Sequence, residues 1–154
     1  MVLKALRRIL NTEDFSVICA ESAAEALGAL ANHDIDIIIS DQNMPVVSGT
    51  VLLQQARELF PRVIRMMLTG STDIEVAKNA INQGAIWRFF TKPCDDFELI
   101  TAIKQALKVR NLERENDRLK TSLRAQAELL KGLEEEYPGI ADKRVSADGA
   151  IIID

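Results

Sequence analysis

The chain has 154 residues, 19 basic and 23 acidic side chains, a net charge of −4 and a 47% hydrophobic composition. Such a chain affords one packed domain with an extension, which excludes wholesale disorder. Its net charge gives no electrostatic reason to expect nucleic acid, no apolar run approaches the ~18 residues of a membrane span, and Cys19 and Cys94 form neither a metal spacing nor a disulfide framework, which suits a reducing, cytoplasmic setting.

Val2, Leu3, Leu6, Ile9 and Leu10 recur at helical spacing with Lys4, Arg7 and Arg8 on the other side, so the chain opens on a helix rather than a signal peptide. Asn11 to Asp14 make a polar break, and Phe15–Ala20 is expected as a short strand. Ser22 caps a second helix, with Glu25 three residues on as in a capping box. Ile35–Ser40 is the next expected strand. Its three consecutive isoleucines suit a strand buried on both faces, and it ends abruptly at Asp41. Ser48-Gly49 opens a third helix that Pro61 stops. Val63–Leu68 is a strand finishing at Thr69-Gly70-Ser71. A fourth helix runs from about Asp73 to Gln83, with Gly84 as its stop. Ala85–Phe90 is a further strand ending at Thr91-Lys92-Pro93, and a fifth helix starts near Asp95. The alternation of helix and strand predicts an α/β fold, a doubly wound parallel sheet with helices on both faces.

The fifth helix continues past the point where a domain helix ends. Val109, Asn116, Leu123 and Leu130 fall at heptad position a, and Leu112, Leu119, Gln126 and Leu133 at position d. Two of these eight seam positions are polar. A single Asn at an a position fixes register in a parallel two-stranded coil. The competing reading is an amphipathic helix folded back on its own domain, but the charged remainder (Glu113, Arg114, Glu115, Arg118, Lys120) suits a solvated coil. Tyr137-Pro138-Gly139 breaks the helix, and Ala150–Asp154 has the pattern of a strand. The expected division is 1–108, a domain; 109–136, a coiled-coil helix; and 137–154, a tail that suits the start of an output segment.

Parallel sheets carry their chemistry at the carboxyl ends of their strands. Three such ends present Asp41, Thr69 and Lys92. A carboxylate, a hydroxyl and an ammonium on one edge suit phosphoryl transfer to the carboxylate. Asp41 is then the nucleophile, Thr69 hydrogen-bonds a phosphoryl oxygen and Lys92 neutralises developing charge. Singly, each residue has a plainer role: a turn cap, a turn former and a solvated lysine.

With Asp41-Gln42-Asn43-Met44-Pro45 and Gly49, Leu68-Thr69-Gly70, and Phe89-Phe90-Thr91-Lys92-Pro93 in this order and spacing, residues 1–108 resemble the receiver domain of two-component response regulators. The resemblance implies a flavodoxin-like sheet, Asp41 as phosphoacceptor, Thr69 as switch hydroxyl, Lys92 as the phosphate-contacting lysine and Phe89 as switch aromatic. It implies Mg²⁺, with Asp41 and the backbone carbonyl of Asn43 among its ligands. It also implies a sensor histidine kinase or phosphotransfer protein as partner. Ile86–Asp96 looks most like receivers that precede cyclic-di-nucleotide phosphodiesterase or cyclase effectors.

The chain departs from the family pattern at one point. Receivers begin with a central strand ending in two adjacent acids that hold the metal, and here the first helix comes first. Glu13 and Asp14 lie at the other end of that helix and do not stand in. The metal site is therefore expected to be incomplete, because Mg²⁺ wants several oxygens. Three accounts stay open: the strand lies upstream of Met1, the chain is a degenerate receiver, or Ala150–Asp154 replaces the strand.

Two functions follow from this reading. One is a phosphorelay receiver that homodimerises through Val109, Leu112, Asn116, Leu119, Leu123, Leu130 and Leu133. The other is a phosphorylation-independent dimerisation or scaffold module. An enzyme is not expected beyond slow self-dephosphorylation: the only histidine, His33, sits in a loop after a helix, and no hydrolase or nucleotide-binding motif occurs. A DNA-binding output is not expected either, since no helix-turn-helix follows the coil.

Overall fold

The computed structural model describes residues 2–138. It contains five helices and three strands. In order these are α1 (Val2–Leu10), α2 (Ala23–Asn32), β1 (Ile37–Asp41), α3 (Gly49–Leu59), β2 (Ile64–Thr69), α4 (Ile74–Asn82), β3 (Arg88–Thr91) and α5 (Asp96–Glu136), with a 3₁₀ turn at Ser71–Asp73 before α4. The strands form one parallel sheet in the order β1-β2-β3. No helix among the described residues is long and apolar enough to cross a membrane.

Side chains alternate across the sheet, as the period of two requires. Ile64, Met66 and Leu68 of β2 and Phe90 of β3 face α1 and α5, where Leu10, Leu99, Ala102, Ile103 and Ala106 bury them. Met67, Ile38 and Phe89 face the opposite layer, where Leu53 of α3 and Ala77 and Ala80 of α4 meet them. Leu30 of α2 packs with Ala56 of α3 and Val63 beside this second core. Small residues on α4 and α5 let these helices lie close to the sheet, while Phe90, Met66 and Met67 fill the middle.

The helix starts expected at Ser22, Ser48 and Asp95 form, each with a side-chain cap. The Ser22 side chain accepts from the Glu25 N–H at 3.1 Å. The Glu25 carboxylate reaches back one residue further than in a capping box, to the Glu21 N–H at 2.9 Å. Ser48 caps α3 through the Val51 N–H. The Asp95 side chain accepts from the Phe97 N–H at 3.0 Å as α5 begins. Gly84, at φ +73°, turns the chain out of α4 in the left-handed region.

Two expected strands need correction. Phe15–Ala20 forms no ladder with the sheet: β1 bonds β2 along one edge, and this segment does not pair along the other. Its Phe15 and Val17 side chains still pack against the α1/α5 core. The apolar pattern accounts for this partial burial, but a strand also needs a partner for its backbone. The Ala85–Phe90 strand begins only at Arg88, because the Ala85 and Ile86 N–H groups are spent on the Ala80 carbonyl at the end of α4. The first bond to β2 is made by the Trp87 N–H, to the Arg65 carbonyl at 2.6 Å.

The chain divides into two compact units, Met1–Arg110 and Asn111–Asp154. In the first, the nearly buried Arg110 guanidinium lies 3.8 Å from the Asp36 carboxylate at the foot of β1, and Lys104 of α5 pairs with Glu13 at 3.1 Å. In the second, α5 runs to Glu136, with Arg118 clamping Glu115 one turn away at 2.6 Å. The pattern noted at Ala150–Asp154 lies outside the described residues.

Gly49 shows how tightly the second layer sits on the sheet. Its N–H donates to the Gln42 carbonyl at 3.0 Å. A Cβ there would stand 2.8 Å from the Gln42 Cα and closer still to the Asp41 carbonyl oxygen. Backbone, not a movable side chain, blocks the position. Gly49→Ala is expected to lower stability by about 2–4 kcal/mol, read as a shift in urea midpoint with unchanged m-value.

Candidate functional site

Parallel register aligns the strand ends. Asp41 stands opposite Leu68, and Thr69 stands opposite Thr91. Two further bonds extend the alignment past the ladders: the Gln42 N–H to the Leu68 carbonyl, and the Lys92 N–H to the Thr69 carbonyl, both at 2.8 Å. Residues from three separate stretches of sequence therefore share one edge.

The Asp41 carboxylate is the centre of that edge. Its Oδ2 accepts from the Lys92 Nζ at 2.5 Å. Its Oδ1 accepts from the Asn43 backbone N–H at 3.0 Å, an Asx-turn that aims the carboxylate back over its own loop. Both side chains of the ion pair keep partial exposure, 21% for Asp41 and 31% for Lys92. The pair is thus anchored yet open to a ligand. Lys92 precedes Pro93 through a cis peptide bond.

Thr69 ends β2 fully buried, and its hydroxyl donates to the Gly70 carbonyl at 3.3 Å. It sits one residue beyond the partner of Asp41, on the neighbouring strand. Phe89 lies one strand over, half-buried on the α3/α4 face. Phe90, next in sequence, is buried on the opposite face, so only one of this aromatic pair borders the α4 side.

Sequence reasoning missed the residues that brace the site. The Gln42 side-chain oxygen accepts from the Thr50 N–H at 2.9 Å and the Thr50 hydroxyl at 2.7 Å, tying the β1–α3 loop to the first turn of α3. The Asn43 side chain donates to the Asp73 carboxylate at 3.4 Å, joining the β1–α3 loop to the 3₁₀ turn after β2. Ser40 donates to the Asp41 carbonyl at 3.0 Å. The Asx-turn at Asp41 was legible, because it spans two residues. The Asn43–Asp73 bond spans 30 and has no local signal.

The donor set does not fit a magnesium ion on its own. One Asp41 oxygen is engaged by an ammonium and the other by an amide. Among the described residues, no three His, Cys, Asp or Glu side chains gather as a metal site. Glu13 pairs with Lys104 of α5 at 3.1 Å. A carboxylate and one carbonyl leave a hard dication short of oxygens.

Two side chains near this edge carry checkable physics. Val46 is fully exposed at φ +71°, and the Val47 N–H bonds the Pro45 carbonyl at 2.8 Å across it. That is a γ-turn of the strained kind, occupied by a β-branched residue. Relief of about 1–3 kcal/mol of strain exceeds the extra chain entropy of glycine, about 0.5–1 kcal/mol. Val46→Gly is therefore expected to raise the calorimetric Tm by a few degrees. The Cys94 thiol is pushed above its ordinary pKa, first by burial and then by Glu98, Asp95 and Asp96. It stays protonated at neutral pH, whereas Cys19 is simply exposed. Iodoacetamide is expected to label Cys19 first. The Cys94 rate is expected to keep climbing into alkaline pH as its thiolate forms, followed by peptide mass.

The chain is similar to known response regulators and receiver domains. The chain is 30% identical over 145 residues to the hydrogenase transcriptional regulatory protein HoxA of Bradyrhizobium diazoefficiens, covering 94% of this chain but 30% of that protein. It is 33% identical over 135 residues to the response regulator protein TodT of Pseudomonas putida F1, covering 88% of this chain and 59% of TodT. The chain thus spans less than two thirds of either relative. Among solved structures, an adenylate cyclase from Rhodopirellula baltica superposes with a TM-score of 0.73 at 35% identity, over 78% of this chain and 89% of that one. The signal receiver domain of an HD domain-containing protein from Pseudomonas fluorescens Pf-5 does so with a TM-score of 0.69 at 36% identity, over 74% and 84%. The family model described as the response regulator receiver domain matches residues 1–104, and this chain belongs to that family.

Proposed function

We propose that residues 1–108 accept a phosphoryl group on Asp41 from a histidine kinase or phosphotransfer protein, and that the helix of residues 109–136 relays the change as a homodimeric coil, with 137–154 as a tail. The observation that carries this reading is the Lys92 ammonium 2.5 Å from the Asp41 carboxylate on an open sheet edge. An Asp41 oxygen attacks phosphorus, the donor's P–N bond breaks, and its electron pair stays on the imidazole, which takes up a proton. Lys92 then moves its charge from the carboxylate to a phosphoryl oxygen. The Thr69 hydroxyl is released from the Gly70 carbonyl to bond another oxygen, and Phe89 follows on the α4 side.

The unit acts as a cytoplasmic phosphoacceptor, with self-dephosphorylation as its only turnover and no DNA contact of its own. Its relatives carry the same unit in transcriptional regulators, a cyclase and an HD-domain protein, so the receiver does not dictate the output. A second reading, a phosphorylation-independent dimerisation module, draws on the short donor set around Asp41.

Acetyl phosphate with and without Mg²⁺, followed by intact mass, separates the two. The phosphoacceptor reading expects one added phosphoryl group on the wild type and none on Asp41→Asn. It expects a reduced yield on Lys92→Met. A folded wild type that gains nothing in either condition, with the same oligomer as Asp41→Ala, supports the scaffold module instead.

A further inference from the structure

Past Arg110, α5 carries large apolar side chains that stand exposed among the described residues. Leu112 is 70% exposed, Leu119 52%, Leu123 64% and Leu130 55%. They recur at heptad positions a and d, so they form one stripe along a single helix face. An apolar stripe of this kind, interrupted by Asn116 and Gln126, marks an interaction surface.

We propose that a second copy of this chain covers the stripe in a parallel, in-register coiled coil. This rests on the reading of α5 as a dimerising helix and adds its orientation, its register and the charges that set them. In that arrangement like layers meet. Asn116 faces Asn116 of the second copy, and an amide, being both donor and acceptor, satisfies its twin. Leu112 and Leu119 at d flank this polar layer, the combination that favours two parallel strands.

The flanking charges choose between orientations. In a parallel pair each g position faces the following e position of the other helix. Lys108 at g then meets Glu113 at e, and Glu115 at g meets Lys120 at e. Each attraction occurs twice by symmetry. Ser122 against Ala127 is neutral. Arg118 donates once to each Glu115 carboxylate oxygen, at 2.6 and 3.1 Å, so each oxygen keeps a lone pair for a lysine of the second copy. An antiparallel pair that sets Asn116 against Gln126 instead brings Lys120 against Lys120. Attraction at two sites is thereby exchanged for repulsion at the centre.

Spin labels at two outward f positions test the geometry. Thr121→Cys and Glu135→Cys, each in a full-length Cys19→Ser/Cys94→Ser chain, are measured by dipolar spectroscopy, with circular dichroism to verify folding. The parallel coil gives similar interspin distances at both sites. An axial offset at position 135 of about 40 Å, at 1.5 Å rise per residue, with a short distance at 121, overturns the proposal in favour of an antiparallel pair. A monomer by light scattering overturns it together with the dimer reading, while acetyl phosphate labelling of Asp41 is scored separately. The charge logic has its own arm. Glu115→Lys is expected to weaken dimerisation roughly tenfold, and Glu115→Lys/Lys120→Glu to restore it. An equal loss in the double variant removes the charge assignment.

Discussion

The parallel register between β1, β2 and β3 is the constraint on which the rest of this structure depends. It sets three strand ends side by side, and each end contributes one polar group to a common edge. A slip of two residues in either ladder would keep the buried faces apolar but would part Lys92 from Asp41 by about two strand residues, ~6.6 Å. The register is held from both faces. Met66 and Phe90 are locked against α5, Met67 against α3 and α4, and Gly49 is pressed onto the end of β1 with no room for a side chain.

At that edge the electrostatics are local. A partly exposed carboxylate is balanced by one ammonium and oriented by one amide. Partial exposure screens such a pair, so its strength is modest despite the short contact. The bonds between Gln42 and Thr50 and between Asn43 and Asp73 brace the loop that carries Asp41. The donors that a hard dication would need are not assembled among the described residues.

One helix serves two environments. The first turns of α5 bury Leu99, Ala102, Ile103 and Ala106 in the receiver core, and Arg110 lies close to Asp36 at the foot of β1. Beyond that residue the same helix carries leucines on an exposed face. Small residues fit where the helix must approach a sheet, and leucines at heptad spacing suit a second helix.

Much of this was determined by local sequence. The helix caps at Ser22, Ser48 and Asp95, the stop at Gly84 and the apolar runs of β1 and β2 follow from short-range stereochemistry, so they were legible without a fold. Their places at the carboxyl ends of three parallel strands then joined Asp41, Thr69 and Lys92. Tertiary structure decided the rest. Phe15–Ala20 has a strand's pattern but no ladder, because backbone pairing needs a neighbour that pattern does not reveal. β3 starts late because the end of α4 claims the Ala85 and Ile86 amides first. The Asn43–Asp73 bond and the clearance at Gly49 depend on chain segments brought together only by folding. Local chemistry specifies which element a residue belongs to, but only packing specifies which other element it meets.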